Sequence, residues 1–135
     1  MSNTREKPVK ENNLEKCPCA GVTLDKLLQP AVLAVLAEGP IHGYRLVERI
    51  AAMPGFAGHK PDASGVYRLL KAMESRELVI FTWDTSQTGP AKRIYQITAK
   101  GKECLHSWAH TLENYREKIT ALLRVTRAAA NKCDH

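Results

Sequence analysis

Val79-Ile80-Phe81-Thr82-Trp83, then Gly89-Pro90, then Arg93-Ile94-Tyr95-Gln96-Ile97 is the stretch on which the fold turns. Both flanking runs alternate and are rich in β-branched and aromatic residues. Residues 84–91 between them carry the Gly-Pro pair, so the stretch predicts a β-hairpin. Upstream, the apolar spacing changes to three and four. Leu24, Leu27 and Leu28 open a stripe that Ala31, Val32, Val35 and Leu36 continue. A short turn precedes Gln29, and a first helix runs from Pro30 to Glu38, where Gly39-Pro40 ends it. A second helix over His42 to Met53 turns Leu46, Val47, Ile50 and Ala51 to one face, and Pro54-Gly55 with Gly58 form a loop. A third starts at Asp62, a residue type suited to an N-cap. It runs to about Arg76 and faces inward through Val66, Leu69, Leu70 and Met73. Three helices followed by a hairpin give a mainly α (α+β) fold, a winged helix-turn-helix domain with the hairpin as its wing.

Downstream of the hairpin, Thr98 caps a long final helix. On it Leu105, Trp108, Leu112, Tyr115, Ile119, Leu122 and Thr126 recur in steps of three and four, an a/d seam over about three heptads. So small a domain cannot cover the whole stripe, and the seam predicts a homodimer; the other reading folds the helix back on its own domain. The expected organisation is a mobile arm over 1–22 containing Cys17-Pro18-Cys19, a DNA-binding domain over 23–98, a dimerisation helix over 99–130 and a tail over 131–135.

Size and composition agree. With 135 residues, 44% of them hydrophobic, the chain suffices for one core and is not disordered throughout. A net charge of +6 favours a polyanionic partner. No apolar run approaches a membrane span, and the polar stretch from Met1 to Asn13 lacks the core of a secretory signal, which points to the cytoplasm. There the four cysteines are expected as thiols.

Three segments carry a family pattern. Leu33-Ala34-Val35-Leu36-Ala37-Glu38-Gly39-Pro40-Ile41-His42-Gly43-Tyr44 resembles the LLAEGPxHGY signature of the PadR family of transcriptional regulators. Val66-Tyr67-Arg68-Leu69-Leu70-Lys71-Ala72-Met73-Glu74 is similar to its LYxxLxxLE recognition-helix segment. Gly89-Pro90-Ala91-Lys92-Arg93-Ile94-Tyr95-Gln96-Ile97-Thr98-Ala99-Lys100-Gly101 is similar to its wing and RxYxLTxxG ending. The resemblance implies a dimer joined through the C-terminal helix, near-palindromic operators in double-stranded DNA, and repression relieved by a small molecule. One helix after the wing matches the family's short members. Two positions depart from the pattern. Gly65 stands where the family often has a phosphate-contacting threonine, with Ser64 one position earlier, and Glu77 replaces a glycine before the first wing strand.

On the outer face of the third helix, Ser64, Gly65, Arg68, Lys71, Ala72 and Ser75 combine small side chains with two cations, a surface able to enter a major groove. Arg68 is the candidate for bidentate contact with guanine, and Lys71 and Tyr67 for phosphate or sugar. Lys92 and Arg93 at the wing, and Lys60 before the third helix, are candidates for the backbone. Tyr44 reads equally as a phosphate ligand or as packing between helices, and His42 reads as a cap of the second helix.

Inputs are less distinct. Leu105, Trp108 and Leu112 read either as a pocket for a small apolar or aromatic effector or as plain dimer packing. Cys17, Cys19, Cys133 and His135 supply four soft or borderline ligands for zinc or another thiophilic metal, or a thiol switch; the other reading is two tails with incidental thiols. His106 and His110 lie one helical turn apart. No phosphate loop, nucleophile elbow or His-Glu-x-x-His occurs, so neither catalysis nor a required cofactor is expected. The competing class is a winged-helix module that binds protein, against which the basic helix face and wing speak.

Overall fold

The computed structural model describes residues 27–54, 56, 62–86 and 88–134. Cys17, Cys19, Lys60, His135 and the expected arm over 1–22 lie outside the described residues. The order of elements is α1 (Leu28–Leu36), β1 (Ile41–His42), α2 (Gly43–Ala51), α3 (Ala63–Ser75), β2 (Val79–Asp84), β3 (Lys92–Ile97) and α4 (Ala99–Cys133). This is the winged-helix order expected from the sequence, with one added strand.

Helix α1 begins two residues before Pro30, which sits in the first turn, where a missing N–H costs nothing. It packs against α2, α4 and β3 at once, so Leu33 is buried along with Val32, Val35 and Leu36. A helix enclosed on several sides is not amphipathic, which is why a single stripe understates its core contribution. Leu46 and Ile50 of α2, Val66, Leu70 and Met73 of α3, and Val79 of β2 meet it in the centre. Each such side chain contributes roughly 1.5–3 kcal/mol by leaving water. Leu69, expected inside, is half-buried at the edge of this cluster.

The second helix does not start at His42. Ile41 and His42 form β1, which pairs antiparallel with β3 (Ile41 opposite Tyr95, His42 opposite Ile94), giving the sheet order β1-β3-β2. Two residues are too few to register as alternation, so only the fold exposes this strand.

The exit from α3 is a Schellman turn. Leu78 N–H donates to Met73 O at 2.9 Å and Glu77 N–H to Glu74 O at 2.9 Å. The residue between helix and strand, Glu77, takes a left-handed φ of 66°, a conformation glycine adopts freely and a residue with a Cβ does not. Here the next turn of chain is stitched in. The Thr98 hydroxyl lies 2.7 Å from Glu77 O and 3.0 Å from Leu78 O, sharing its one hydrogen between them, and accepts from Gly101 N–H at 3.0 Å. Thr98 N–H also donates to Leu78 O at 3.1 Å. Gly101 is buried against this point: a Cβ there would stand 2.2 Å from Leu78 O. Thr98 thus caps α4, as expected, and also ties it to the end of α3.

From that seat α4 runs 35 residues, about 52 Å, ending three residues beyond the expected 130. Cys104, Leu105 and Trp108 pack against the core, whereas residues 112–134 are all exposed. No helix among the described residues is long and apolar enough to cross a membrane.

Glu77→Gly removes the left-handed penalty at an exposed position whose only ion pair among the described residues is a 4.0 Å approach to Lys100. Thermal denaturation at fixed protein concentration should show a gain of about 1 kcal/mol, or about 2–5 °C in Tm. An unchanged or lower Tm would contradict the turn geometry.

Candidate nucleic-acid interface

Helix α3 points one face out of the core. Ser64, Tyr67, Arg68, Lys71, Ala72 and Ser75 are exposed and Gly65 is half-buried, so the expected surface is present as a continuous strip. The first turn carries no acidic side chain, and Asp62, though at the N-cap position, makes no capping hydrogen bond. The outward N–H groups of that turn therefore keep their affinity for an anion. The Arg68 guanidinium lies back over this end, with Nη2 3.7 Å from where a Cβ on Gly65 would stand.

The wing is a regular two-stranded ladder with Val79 opposite Ile97, Phe81 opposite Tyr95 and Trp83 opposite Arg93. Side chains on these pairs share one face, which begins in the core at Val79 and ends exposed at Trp83. Arg93 lies 4.5 Å from the Phe81 ring centroid and 5.3 Å from that of Trp83, and its Nη1 approaches the Tyr95 hydroxyl at 3.5 Å. Lys92 turns the other way and rests 5.0 Å above the Tyr44 ring. Between α3 and the wing these groups enclose an open cavity of about 520 Å³, lined by Gly43, Tyr44, Tyr67, Trp83, Lys92 and Arg93 among others.

Tyr44 is exposed and lines this cavity, with its ring 5.4 Å from that of His42. Gly43 explains itself by close approach: a Cβ would fall 2.7 Å from Tyr67 Cε1, so only glycine lets the ring settle there. Burial, and then the neighbouring Tyr95, raise the Tyr67 hydroxyl above its usual range, so it stays a donor. His42 stands at the N-cap of α2 but makes no capping bond. Its Nε2 instead lies 2.8 Å from Asp84 Oδ2 across the sheet. Hydrogen bonds from Ser86, and then His42, hold Asp84 down to about 2. Ser86 donates from both N–H (3.0 Å) and hydroxyl (2.6 Å) to Oδ1, so both carboxylate oxygens are occupied.

Trp83 and Asp84 were not singled out from the sequence. Alternation carried one step beyond buried Val79 and half-buried Phe81 places Trp83 at the end of the core row. The Asp84–His42 pair depends on β1, which the sequence hides.

The seam of α4 divides. Leu105 and Trp108 are half-buried in their own domain, and Leu112 lines an apolar cavity of about 320 Å³ with Pro30, Ala31, Ala34, Met53 and Phe56. Tyr115, Ile119 and Leu122 are 44%, 63% and 64% exposed. Among the described residues no three His, Cys, Asp or Glu side chains are grouped to hold a metal. Of the four metal ligands considered, Cys133 alone is described, exposed in the last turn of α4, and His106 and His110 are exposed side chains.

Because Asp84 is held below its usual 3.8, it contributes stability that is full above about pH 4 and lost as the pH falls towards 2. Asp84→Asn should lower Tm at neutral pH, and the gap to wild type should close between pH 4 and 2. A gap that persists at pH 2 would place the effect elsewhere.

Known proteins share both sequence and fold with this chain. The sequence profile of the transcriptional regulator PadR-like family matches residues 32–107. A candidate transcriptional regulator of Thermoplasma acidophilum has a structure similar at TM-score 0.65 with 31% identity, over 75% of this chain and 94% of that one. The PadR protein of Bacillus subtilis, solved in complex with operator DNA, is similar at TM-score 0.56 with 26% identity, over 62% of this chain and 46% of that one. An uncharacterised 37.1 kDa protein of a transposon in Streptomyces fradiae is 31% identical over 91 residues, 67% of this chain; the match spans only 24% of that relative. With more than half its length matched by the family profile, this chain belongs to the PadR-like family of transcriptional regulators.

Proposed function

We propose that this chain is a sequence-specific DNA-binding repressor that acts in the cytoplasm as a homodimer joined along α4. The observation that carries this reading is the strip of Ser64, Gly65, Arg68, Lys71, Ala72 and Ser75 on α3, which holds two cations and no acid, beside a cavity whose two cations, Lys92 and Arg93, form no ion pair among the described residues. The operator complex of the Bacillus subtilis PadR supports the same use of the fold.

In this reading α3 enters the major groove with Arg68 paired to guanine, the commonest specific contact. Ser64 and the open backbone at Gly65 meet a phosphate at the helix N-terminus, and Lys71 and Tyr67 take phosphate or sugar. Tyr44, Lys92 and Arg93 hold the adjoining backbone. Lys60, outside the described residues, is a further candidate for the same strand. Two such heads fit a near-palindromic operator.

Support for the dimer comes from the exposed half of α4. Tyr115, Ile119, Leu122, Leu123 and Val125 form an apolar stretch that a lone soluble domain does not leave in water. Leu105 and Trp108 anchor the base of the helix, and Leu112 begins the part open to a partner. A small apolar or aromatic effector would enter the cavity between Leu112 and α1, where it reaches both the DNA-binding domain and the dimer helix.

Two measurements test this. On a duplex selected from a random pool, Arg68→Ala should weaken binding by about 1–3 kcal/mol and relax the sequence preference, while Lys92→Ala weakens all duplexes alike and lowers the salt slope by about one. Equal affinity of wild type and Arg68→Ala for the selected duplex would remove Arg68 from recognition. Ile119→Asp combined with Leu122→Asp should halve the mass seen in sedimentation; an unaltered mass would reject the α4 dimer.

A further inference from the structure

Trp83 has no part in the contacts assigned so far, yet it is the most exposed aromatic side chain in the described domain, at 55%. An indole in water is unfavourable unless something covers it. Its surroundings are orderly. Phe81 meets it edge-on (5.5 Å between centroids, 88° between planes) and leans against Tyr95 in turn (6.0 Å). The row of rings thus leads from the core to the wing's open end. Arg93, directly across the ladder from Trp83, lies against both Phe81 and Trp83.

The arrangement constrains Arg93. Its guanidinium is backed by two ring faces and the Tyr95 hydroxyl, and it has no salt-bridge partner among the described residues. The other cation at the cavity, Lys92, sits opposite Asp84 in register, but Asp84 is already engaged by His42 and Ser86. The cavity therefore presents two cations free of ion pairs among the described residues, with only the longer-range attraction of Glu74 on Arg93, and an exposed indole on the side where α3 shows its outer face. Alternating sugar and phosphate matches that pairing: the phosphate suits the guanidinium fork, and the apolar face of deoxyribose suits the indole.

We propose that Trp83 is the positioning residue of the wing: it holds Arg93 ready for one backbone phosphate and packs its exposed ring on the adjoining deoxyribose. The inference rests on the DNA-binding reading above and extends it to a residue that reads no base. It predicts a contribution independent of sequence, because every nucleotide offers the same sugar and phosphate.

The full chain, its single-site variants and a random-sequence duplex suffice for the test. Trp83→Ala should weaken binding to random and selected duplexes by the same factor, about fivefold to tenfold, with Tm unchanged. Trp83→Phe, which keeps a ring for the guanidinium, should recover most of that loss. The chain has two tryptophans, so wild-type emission should change on adding duplex, and in Trp83→Phe, where Trp108 alone emits, the change should vanish. The combined loss in Trp83→Ala with Arg93→Ala should fall well short of the sum of the two single losses, because part of the indole's effect acts through the guanidinium. Fully additive losses would overturn the positioning role. Wild-type binding with unaltered Trp83 emission and full affinity in Trp83→Ala would overturn the proposal while leaving the DNA reading intact. A wild type that binds no duplex at all would overturn both.

Discussion

One hydroxyl group holds the parts of this molecule in their mutual orientation. Thr98 Oγ1 reaches the carbonyls that end α3 and receives the N–H of Gly101 that starts α4, while its own N–H closes on Leu78 O. Helix α3, the wing and helix α4 meet at this point, and it sets their mutual angles. The closeness is steric as well as polar. Gly101 lets the backbone of α4 lie against Leu78 O, and the Schellman turn at Glu77 brings that carbonyl into position. Partly buried polar groups satisfied by one another in this way specify an angle, which apolar packing alone does with less precision.

The wing depends on a second economy, the disposal of charge. Asp84 and Lys92 face each other across the ladder at its open end, beside Arg93, and Asp84 carries the wrong sign for a polyanion. His42 and Ser86 occupy both its oxygens, and its ladder partner Lys92 is left to rest on Tyr44. Arg93 is meanwhile braced by rings instead of by a carboxylate. The His-Gly-Tyr run thus has three separate duties at one place: His42 occupies the acid, Gly43 admits the Tyr67 ring, and Tyr44 supports the lysine.

Much of this was legible in the residues. Hydrophobic spacing delimits three helices, the hairpin and the long last helix to within a few positions, because each of these elements is long enough to repeat its own period. Thr98 as a cap and the outward strip on α3 follow from the same local rules. What escaped depends on partners distant in sequence. β1 exists only because β3 lies beside it, and His42 therefore reads as a cap when its partner is Asp84, forty-two residues away. Glu77 looks like a neutral replacement for glycine until its φ is known. The seam of α4 has one uninterrupted period, yet the domain covers Leu105 and Trp108 and leaves Tyr115 onward open, a division that periodicity cannot locate.

The seat of α4 also has a mechanical consequence. A helix of about 52 Å fixed at one end is a lever: a tilt of about 10° at Gly101 displaces its far end by about 9 Å. Run in reverse, with the far ends clasped in a dimer, the same tilt swings each domain through a comparable arc. In the dimeric reading proposed above, such an arc would be a sizeable fraction of the about 34 Å between successive major grooves on one face of a duplex. With Leu112 about 16 Å along the helix from Gly101, a displacement of about 0.5 Å where it meets α1 is enlarged about threefold at the far end.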